Sequence, residues 1–143
     1  MLVAQIIKDK GDLVFTISPR ETVAAAAALL HERRVGALVV VEGEDKVAGI
    51  ISERDLVRMV AQAGADGLGQ PVSAWMTGEV IFAAPTETVN SLLERMTDRR
   101  VRHLPVLRDG RLCGLISIGD LVKFKIAETE AEAEGLKSYI AAG

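Results

Sequence analysis

Two serine–aspartate pairs are the residues of this chain whose types and spacing are best suited to chemistry. They are Ser52-x-x-Asp55 and Ser117-x-x-Asp120, and each lies where an apolar segment gives way to a helical pattern. At such a junction this spacing puts a hydroxyl and a carboxylate within reach of one point outside a sheet. A carboxylate can accept two hydrogen bonds from neighbouring hydroxyls, as a ribose diol would supply. The following helix offers unpaired N–H groups and a positive dipole end, which suit a phosphate.

The same spacing also has a purely structural interpretation. Ser-x-x-Asp is a capping box, in which the serine caps the helix and the acid three residues later binds back to the backbone. For a single motif the cap is the better hypothesis, because caps are far commoner than ribose sites. The two roles are compatible, since a site without ligand can cap itself.

Basic residues collect near the second motif although the net charge of the 143-residue chain is −3. They are Arg99, Arg100, Arg102, His103 and Arg111. Around the first motif Gly36-Ala37 replaces Arg102-His103, while Arg54 has Gly119 as its counterpart. This pattern predicts two chemically different clefts, one with Arg102 and His103 near Asp120 and one with Arg54 beside Asp55. For each arginine taken singly, a solvated surface position is the simpler interpretation.

Both motifs belong to an internal repeat that covers most of the chain. Residues 49–55 return as 114–120, and the offset is 66 residues before the turn near Glu44 and 65 after it. Each unit has the pattern β-α-β-β-α. The predicted elements of unit 1 are a strand at 13–17, a helix with Ser18 as N-cap, Pro19 at N1 and Glu21 at N3, strands at 37–42 and 46–51, and a helix at 54–61. Those of unit 2 are a strand at 80–83, a helix at 85–99, strands at 103–107 and 111–116, and a helix from about 120 to 139. A short helix at 3–8 precedes them.

Composition excludes several classes of function. The acidic balance and the few aromatic residues argue against nucleic-acid binding, and no apolar stretch is long enough to span a membrane. The single cysteine, Cys113, allows no intrachain disulfide and is expected to be a small core residue. The two histidines have no metal-ligand spacing, and no nucleophile and base are paired. We therefore expect a cytoplasmic protein that is not an enzyme, with no metal and no catalytic cofactor.

The repeated heptapeptides, together with Arg102-His103-Leu104-Pro105-Val106, resemble the CBS domain family, arranged as a tandem pair. The resemblance implies an α+β fold (α/β by some schemes) of two β-α-β-β-α repeats packed pseudo-symmetrically. The expected parts are CBS domain 1 at 8–62, a linker at 63–74, CBS domain 2 at 75–125 and a helical extension at 126–143.

The family resemblance also implies clefts that hold an adenosine-containing ligand: AMP, ADP, ATP, NAD(H) or S-adenosylmethionine. The predicted binding residues are Thr16, Ile17, Gly36, Ala37, Leu38, Ser52, Arg54, Asp55, Thr77, Phe82, Ala83, Arg102, His103, Leu104, Pro105, Ser117, Gly119 and Asp120. The implied protein is a stand-alone regulatory homodimer that signals to an unidentified protein through a change of conformation or association. The alternative is a protein–protein interaction module whose clefts stay empty.

Overall fold

The duplicated pattern of the sequence is present as two similar units in the computed structural model, which describes residues 2–11, 14–44 and 46–142. In chain order the elements are α1 (Val3–Lys10), β1 (Thr16–Ile17), α2 (Val23–Arg33), β2 (Ala37–Glu42), β3 (Lys46–Ser52), α3 (Glu53–Ala63), α4 (Val89–Arg99), β4 (His103–Arg108), β5 (Arg111–Ser117) and α5 (Ile118–Ala142). We call β1 to α3 unit 1 and residues 80 to 125 unit 2. The mixed α+β fold with a long final helix is as the sequence predicts.

Each unit is built around an antiparallel hairpin, β2–β3 in unit 1 and β4–β5 in unit 2. Both hairpins shift register at matching places, between Val40 and Val41 and between Val106 and Leu107. In unit 1, β1 adds a parallel strand beside β2. Leu13 and Asp45, which belong to the predicted first strand and first turn, lie outside the described residues.

The strand predicted at 80–83 is wrong in all but one residue. Only Ala83 pairs with the hairpin, where its N–H donates to Pro105 O over 2.9 Å and its carbonyl accepts from Leu107 N over 3.0 Å. Val80 and Ile81 leave the sheet edge and line a cleft.

Helices α2 and α4 begin later than predicted, at Val23 and Val89 rather than at the preceding prolines. Their N-caps are Thr22 and Thr88, whose hydroxyls each accept an N–H bond over 3.1 Å. Ser18 closes a turn instead, and its hydroxyl accepts from Arg20 N. The predicted first turns of these helices form non-helical turns instead, and distant segments pair with their carbonyls. In unit 1, Val72 N donates to Glu21 O over 2.7 Å, and in unit 2, Val3 N donates to Glu87 O over 2.9 Å.

Helix α1 precedes unit 1 but completes the core of unit 2. Val3, Ile6 and Ile7 are buried with Leu92, Leu104 and other residues of unit 2. Val72, from the segment between the units, is buried in the core of unit 1. Cys113 lies at the edge of the unit 2 core, half-buried against it.

The glycine-rich segment between α3 and α4 is ordered into two 3-10 helices, at Gly64–Gly69 and Val72–Ala74. Gly67 is buried against α3. The position requires glycine, because a Cβ there would collide with the Met59 side chain. At the other end of the chain, α5 continues as one helix past the core, and Leu136, Tyr139 and Ile140 on it are exposed. Among the described residues, no helix is both long and apolar enough to cross a membrane.

Candidate ligand-binding cleft

A cleft of about 510 Å³ opens between the two units. Its walls come from the junction of β3 and α3, from the segment that leads into unit 2, and from the junction of α4 and β4. The lining residues are Gly36, Ile50, Ser52, Glu53, Arg54, Asp55, Val57, Thr77, Glu79, Val80, Ile81, Arg100, Val101, Arg102 and His103. We call it the Asp55 cleft. Its volume is within the range of roughly 300–1,000 Å³ that is typical of small-molecule sites.

Asp55 lies at the base of the cleft, at the N-terminus of α3, and is 7% exposed. One carboxylate oxygen, Oδ2, accepts from Ser52 N over 2.9 Å and from Ser52 Oγ over 3.1 Å. The other, Oδ1, accepts from Arg58 Nη2 over 3.2 Å and from Thr77 Oγ1 over 3.3 Å. The capping box is therefore formed, and the longest of the four bonds, from Thr77, is the one that a ligand hydroxyl could replace most readily.

Thr77 is held in place by backbone pairing with β3. Ile50 N donates to Thr77 O over 3.0 Å, and Thr77 N donates to Ile50 O over 2.8 Å. This close approach requires the glycine at position 49, since a Cβ there would lie 2.7 Å from Thr77 O. The neighbouring Trp75 is anchored by a bond of 2.6 Å from its Nε1 to Gln70 Oε1 and by Arg58 over its ring. The hydroxyl of Thr77 is thus fixed beside the carboxylate of Asp55.

Three arginines line the cleft and make it positive in places. They are Arg54 on the first turn of α3, Arg100 at the end of α4 and Arg102 just before β4. Within the described parts of the chain, none of the three forms an ion pair, although Glu53 and Glu79 also line the cleft. Their guanidinium groups are therefore available to a phosphate.

His103 closes the cleft on the unit 2 side, where its ring faces Gly36; a Cβ at position 36 would lie 3.4 Å from His103 Nε2. Burial lowers the pKa of His103 below its ordinary value, and the charges of Lys10 and Arg102 add to this effect. Asp120 and Glu53 act in the opposite direction but are outweighed. The imidazole is therefore neutral at physiological pH and can donate one hydrogen bond and accept another.

The structure agrees with the prediction that Arg54 lies beside Asp55, but Arg102, which was predicted near Asp120, lies elsewhere. Arg102, His103 and Arg54 all line the Asp55 cleft, because the start of β4 faces the N-terminus of α3 across the two units. His103 is nevertheless close enough to Asp120 to feel its charge. Arg54 and Arg102 are thus in one cleft rather than divided between two.

Asp120 has different neighbours. It accepts from Ser117 N over 2.9 Å, and Ser117 Oγ accepts from Asp120 N over 3.1 Å, so the second capping box is also formed. Lys10 Nζ of α1 lies 2.7 Å from Asp120 Oδ2. Burial would raise the pKa of Asp120, but the bond from Lys10 and those from Ser117 outweigh it and hold the pKa below its ordinary value.

The remaining predicted residues lie outside the Asp55 cleft. Thr16 and Ile17 line a separate cavity of about 400 Å³ beside the first hairpin turn. Gly119 is exposed on the first turn of α5, and the carbonyl of half-buried Phe82 accepts from Arg95 Nη1 over 2.9 Å. The buried predicted residues are Ala37, Leu38, Ala83, Leu104 and Pro105.

Several residues of the cleft are absent from the sequence prediction. They are Ile50, Glu53, Val57, Glu79, Val80, Ile81, Arg100 and Val101. Arg100 belongs to the basic cluster of the sequence and Glu53 to the repeated heptapeptide. Both residues could therefore have been predicted as part of the site. Val80 and Ile81 were not predicted as site residues, because their apolar pattern favours a strand within the sheet.

The cleft combines polar, charged and apolar groups that are suited to ligand binding. It offers hydroxyl and carboxylate partners, three guanidinium groups and an apolar side formed by Val57, Val80 and Ile81. In residues 2–11, 14–44 and 46–142, no three His, Cys, Asp or Glu side chains are grouped to hold a metal ion.

Comparison with known proteins finds the same two-unit organisation. The model of the CBS domain matches the chain twice, at residues 11–62 and 72–127. The CBS domain-containing protein CBSX3, mitochondrial, of Arabidopsis thaliana is 35% identical over 149 residues, which cover 99% of this chain and 72% of the plant protein.

Solved structures are similar over most of the chain. A CBS-domain containing protein from Agrobacterium tumefaciens has a TM-score of 0.85 and 43% identity, covering 87% of this chain and 99% of that chain. A CBS domain protein from Pyrobaculum aerophilum, complexed with AMP, has a TM-score of 0.74 and 25% identity, covering 84% of this chain and 89% of that chain.

Proposed function

The chain belongs to the CBS domain family, as a tandem pair of repeats, and we propose that it is a regulatory module that binds an adenosine-containing ligand with a phosphate, such as AMP, in the Asp55 cleft. Regulation follows from the position of the cleft. Because its walls come from both units, a ligand that bridges them stabilises one arrangement of the units over another. That difference is what a homodimer or a downstream protein would detect.

The observation that carries the proposal is the meeting of Asp55 and Thr77 with three arginines in one cleft. The carboxylate of Asp55 would accept hydrogen bonds from the ribose hydroxyls, which replace Thr77 Oγ1 as a partner while Arg58 stays. Arg54, Arg100 and Arg102 would bind the phosphate. The apolar side formed by Val57, Val80 and Ile81 would cover the base. The AMP complex of the Pyrobaculum aerophilum protein supports this ligand class.

The second candidate is an interaction module with empty clefts. It is favoured by one observation, that both serine–aspartate pairs are internally satisfied as capping boxes. An internal cap removes the need for a ligand at either aspartate. The exposed residues Leu136, Tyr139 and Ile140 of α5 would then be part of a contact surface.

Isothermal calorimetry against AMP, ADP, ATP, NAD(H) and S-adenosylmethionine tests the two candidates. The informative pair of variants is Asp55→Asn and Asp120→Asn, which remove the same charge from equivalent capping boxes. We expect saturable binding of a phosphorylated ligand by the wild type, a loss of at least tenfold in affinity for Asp55→Asn, and little change for Asp120→Asn.

Thermal unfolding of both variants controls for loss of structure. If no member of the panel binds to the folded wild type, the interaction module becomes the better reading of this chain. Binding that is insensitive to Asp55→Asn would place the ligand elsewhere and overturn the assignment of the cleft. Preference for S-adenosylmethionine over every phosphorylated ligand would contradict the role given to the arginines.

A further inference from the structure

We propose that Lys10 restricts ligand binding to the Asp55 cleft, because its ammonium group occupies at Asp120 the position that a ligand hydroxyl would take. The inference rests on the proposed function and goes beyond it, since it assigns a specificity-determining role to a helix that lies outside both repeats. With this role for Lys10, the module has two similar motifs but binds one ligand per chain.

The ammonium group of Lys10 makes two short contacts. Lys10 Nζ donates to Asp120 Oδ2 over 2.7 Å and to Leu115 O over 2.7 Å. By the offset of the repeat, Leu115 and Asp120 are the equivalents of Ile50 and Asp55. One cation therefore bridges a carbonyl of β5 and the carboxylate of the second motif.

In unit 1 Thr77, a neutral residue, contacts the equivalent carbonyl and the equivalent carboxylate, whose charge partner is Arg58 at 3.2 Å. Thr77 N donates to Ile50 O over 2.8 Å, and its hydroxyl donates to Asp55 Oδ1 over 3.3 Å. Lys10 and Thr77 thus hold corresponding positions in the two halves, although no sequence alignment of the repeats pairs them.

The difference arises from how the chain continues after a shared packing contact. Met76 packs against Gly49 of β3, and Ile7 packs against Gly114 of β5, the equivalent glycine. After Met76 the chain extends and pairs through the backbone of Thr77. After Ile7 the helix α1 runs on to Lys10 and ends at Gly11, which has φ 89°. The added residues bring a lysine side chain to Leu115 O and Asp120, the equivalents of the two groups that Thr77 contacts in unit 1.

The two partners respond differently to a ribose. A ribose hydroxyl can replace the hydroxyl of Thr77 like for like, because both are neutral donors and Arg58 remains as the charge partner of Asp55. Replacing the ammonium group would leave Asp120, whose side chain is 25% exposed, without its charge partner. Gly119, Gly36 and Ala37 are the counterparts of Arg54, Arg102 and His103 around the second motif, so a site opened there binds AMP more weakly than the Asp55 cleft and fills at higher AMP concentration.

The test is the number of AMP molecules bound per chain, measured by equilibrium dialysis with radiolabelled AMP at protein concentrations above the dissociation constant. The variant is Lys10→Ala, and the matched control is Lys8→Ala, which removes the same charge from an exposed residue of α1. Circular dichroism and thermal unfolding verify that α1 still packs. The double variant Lys10→Ala with Asp120→Asn locates any site that is gained.

We expect one AMP per chain for the wild type and for Lys8→Ala, two for Lys10→Ala, and one again for the double variant. A second site that appears in Lys10→Ala supports the inference even if the wild type binds none, and in that case only the proposed function fails. Two sites in the wild type, or no added site in folded Lys10→Ala, would overturn it. One site in both proteins would leave the proposed function intact while removing the role of Lys10.

Discussion

Arg100 ends α4 in the left-handed region, with φ 55°, and Arg34 ends α2 in the same way, with φ 55°. Glycine or asparagine is the usual residue at this position of a helix terminus, because a side chain with a Cβ is strained there. The two arginines are equivalent in the repeat but not in function, since Arg100 lines the Asp55 cleft and Arg34 does not. The strain in unit 2 is therefore compatible with a side chain retained for binding.

We expect Arg100→Gly to weaken AMP binding by several-fold, because it removes one of three cations from the cleft. The free energy of unfolding should stay equal or rise by up to about 1 kcal/mol, since glycine adopts the left-handed region without strain. Arg34→Gly is the matched control, with the same relief of strain and no change in affinity. Equal loss of affinity in both variants would show that the charge acts at long range rather than in the cleft.

His103 gives the fold a dependence on pH that follows from its lowered pKa, caused first by burial and then by Lys10 and Arg102. In the unfolded chain the imidazole takes up a proton near its ordinary pKa, whereas in the folded chain it does so only at lower pH. The unfolded state therefore binds more protons in this window, and stability is lost as the pH falls through it.

His103→Gln should remove this part of the pH dependence. We expect the free energy of unfolding of the wild type, measured by urea titration, to fall relative to that of His103→Gln as the pH is lowered from 8 to about 5. Lys10, Asp120, Glu53 and Arg102, whose charges act on His103, are present in both proteins, so their own contributions largely cancel in the comparison. A constant difference between the two proteins would show that His103 titrates normally.

At the scale of elements, the hairpins and the starts of α3 and α5 could be predicted from the sequence because their signals are local. Ser52 and Ser117 cap their helices within the same few residues that define the motif. The starts of α2 and α4 could not be predicted from local signals. Before α2, for example, Ser18 and Thr22 both have side chains that can cap a helix. The choice of Thr22 depends on pairing with a segment near Val72, far along the chain.

The residues of the candidate site also fall into those that local sequence signals predict and those that depend on tertiary packing. Asp55 and its serine were predictable because the repeat marks them, and the arginine cluster was visible as composition. The position of Arg102 across from Arg54 depends on how the two units face each other, which no local pattern encodes. Lys10 carried no signal, since its contact with Asp120 depends on the packing of α1 against Gly114.

For the whole molecule, the two units are joined by more than a linker. Val3 of α1 is buried in unit 2 and Val72 is buried in unit 1, so each core includes a segment from outside its own unit. Loss of one unit would therefore expose apolar surface of the other. We expect the chain to unfold in one cooperative transition rather than two.

Val3→Ala and Val60→Ala make the same chemical change at a buried and an exposed position, at 0% and 60% exposure. Val3→Ala should lower the free energy of unfolding by about 2 kcal/mol, because two buried methyl groups are lost and a cavity is left. Val60→Ala should change it by less than about 0.5 kcal/mol. Trp75 fluorescence and far-ultraviolet circular dichroism should report the same midpoint in each protein; separate midpoints would mean that the units unfold independently.

The placement of α1 has a consequence for synthesis on the ribosome. This helix is translated before unit 1, yet its partners Leu104 and Leu121 are among the later residues to emerge. At roughly 5–20 residues per second, Val3, Ile6 and Ile7 remain without their native contacts for about 6–24 seconds. Unit 1 can form its own strands in that time, while the nascent N-terminal segment exposes an apolar surface to which a chaperone could bind.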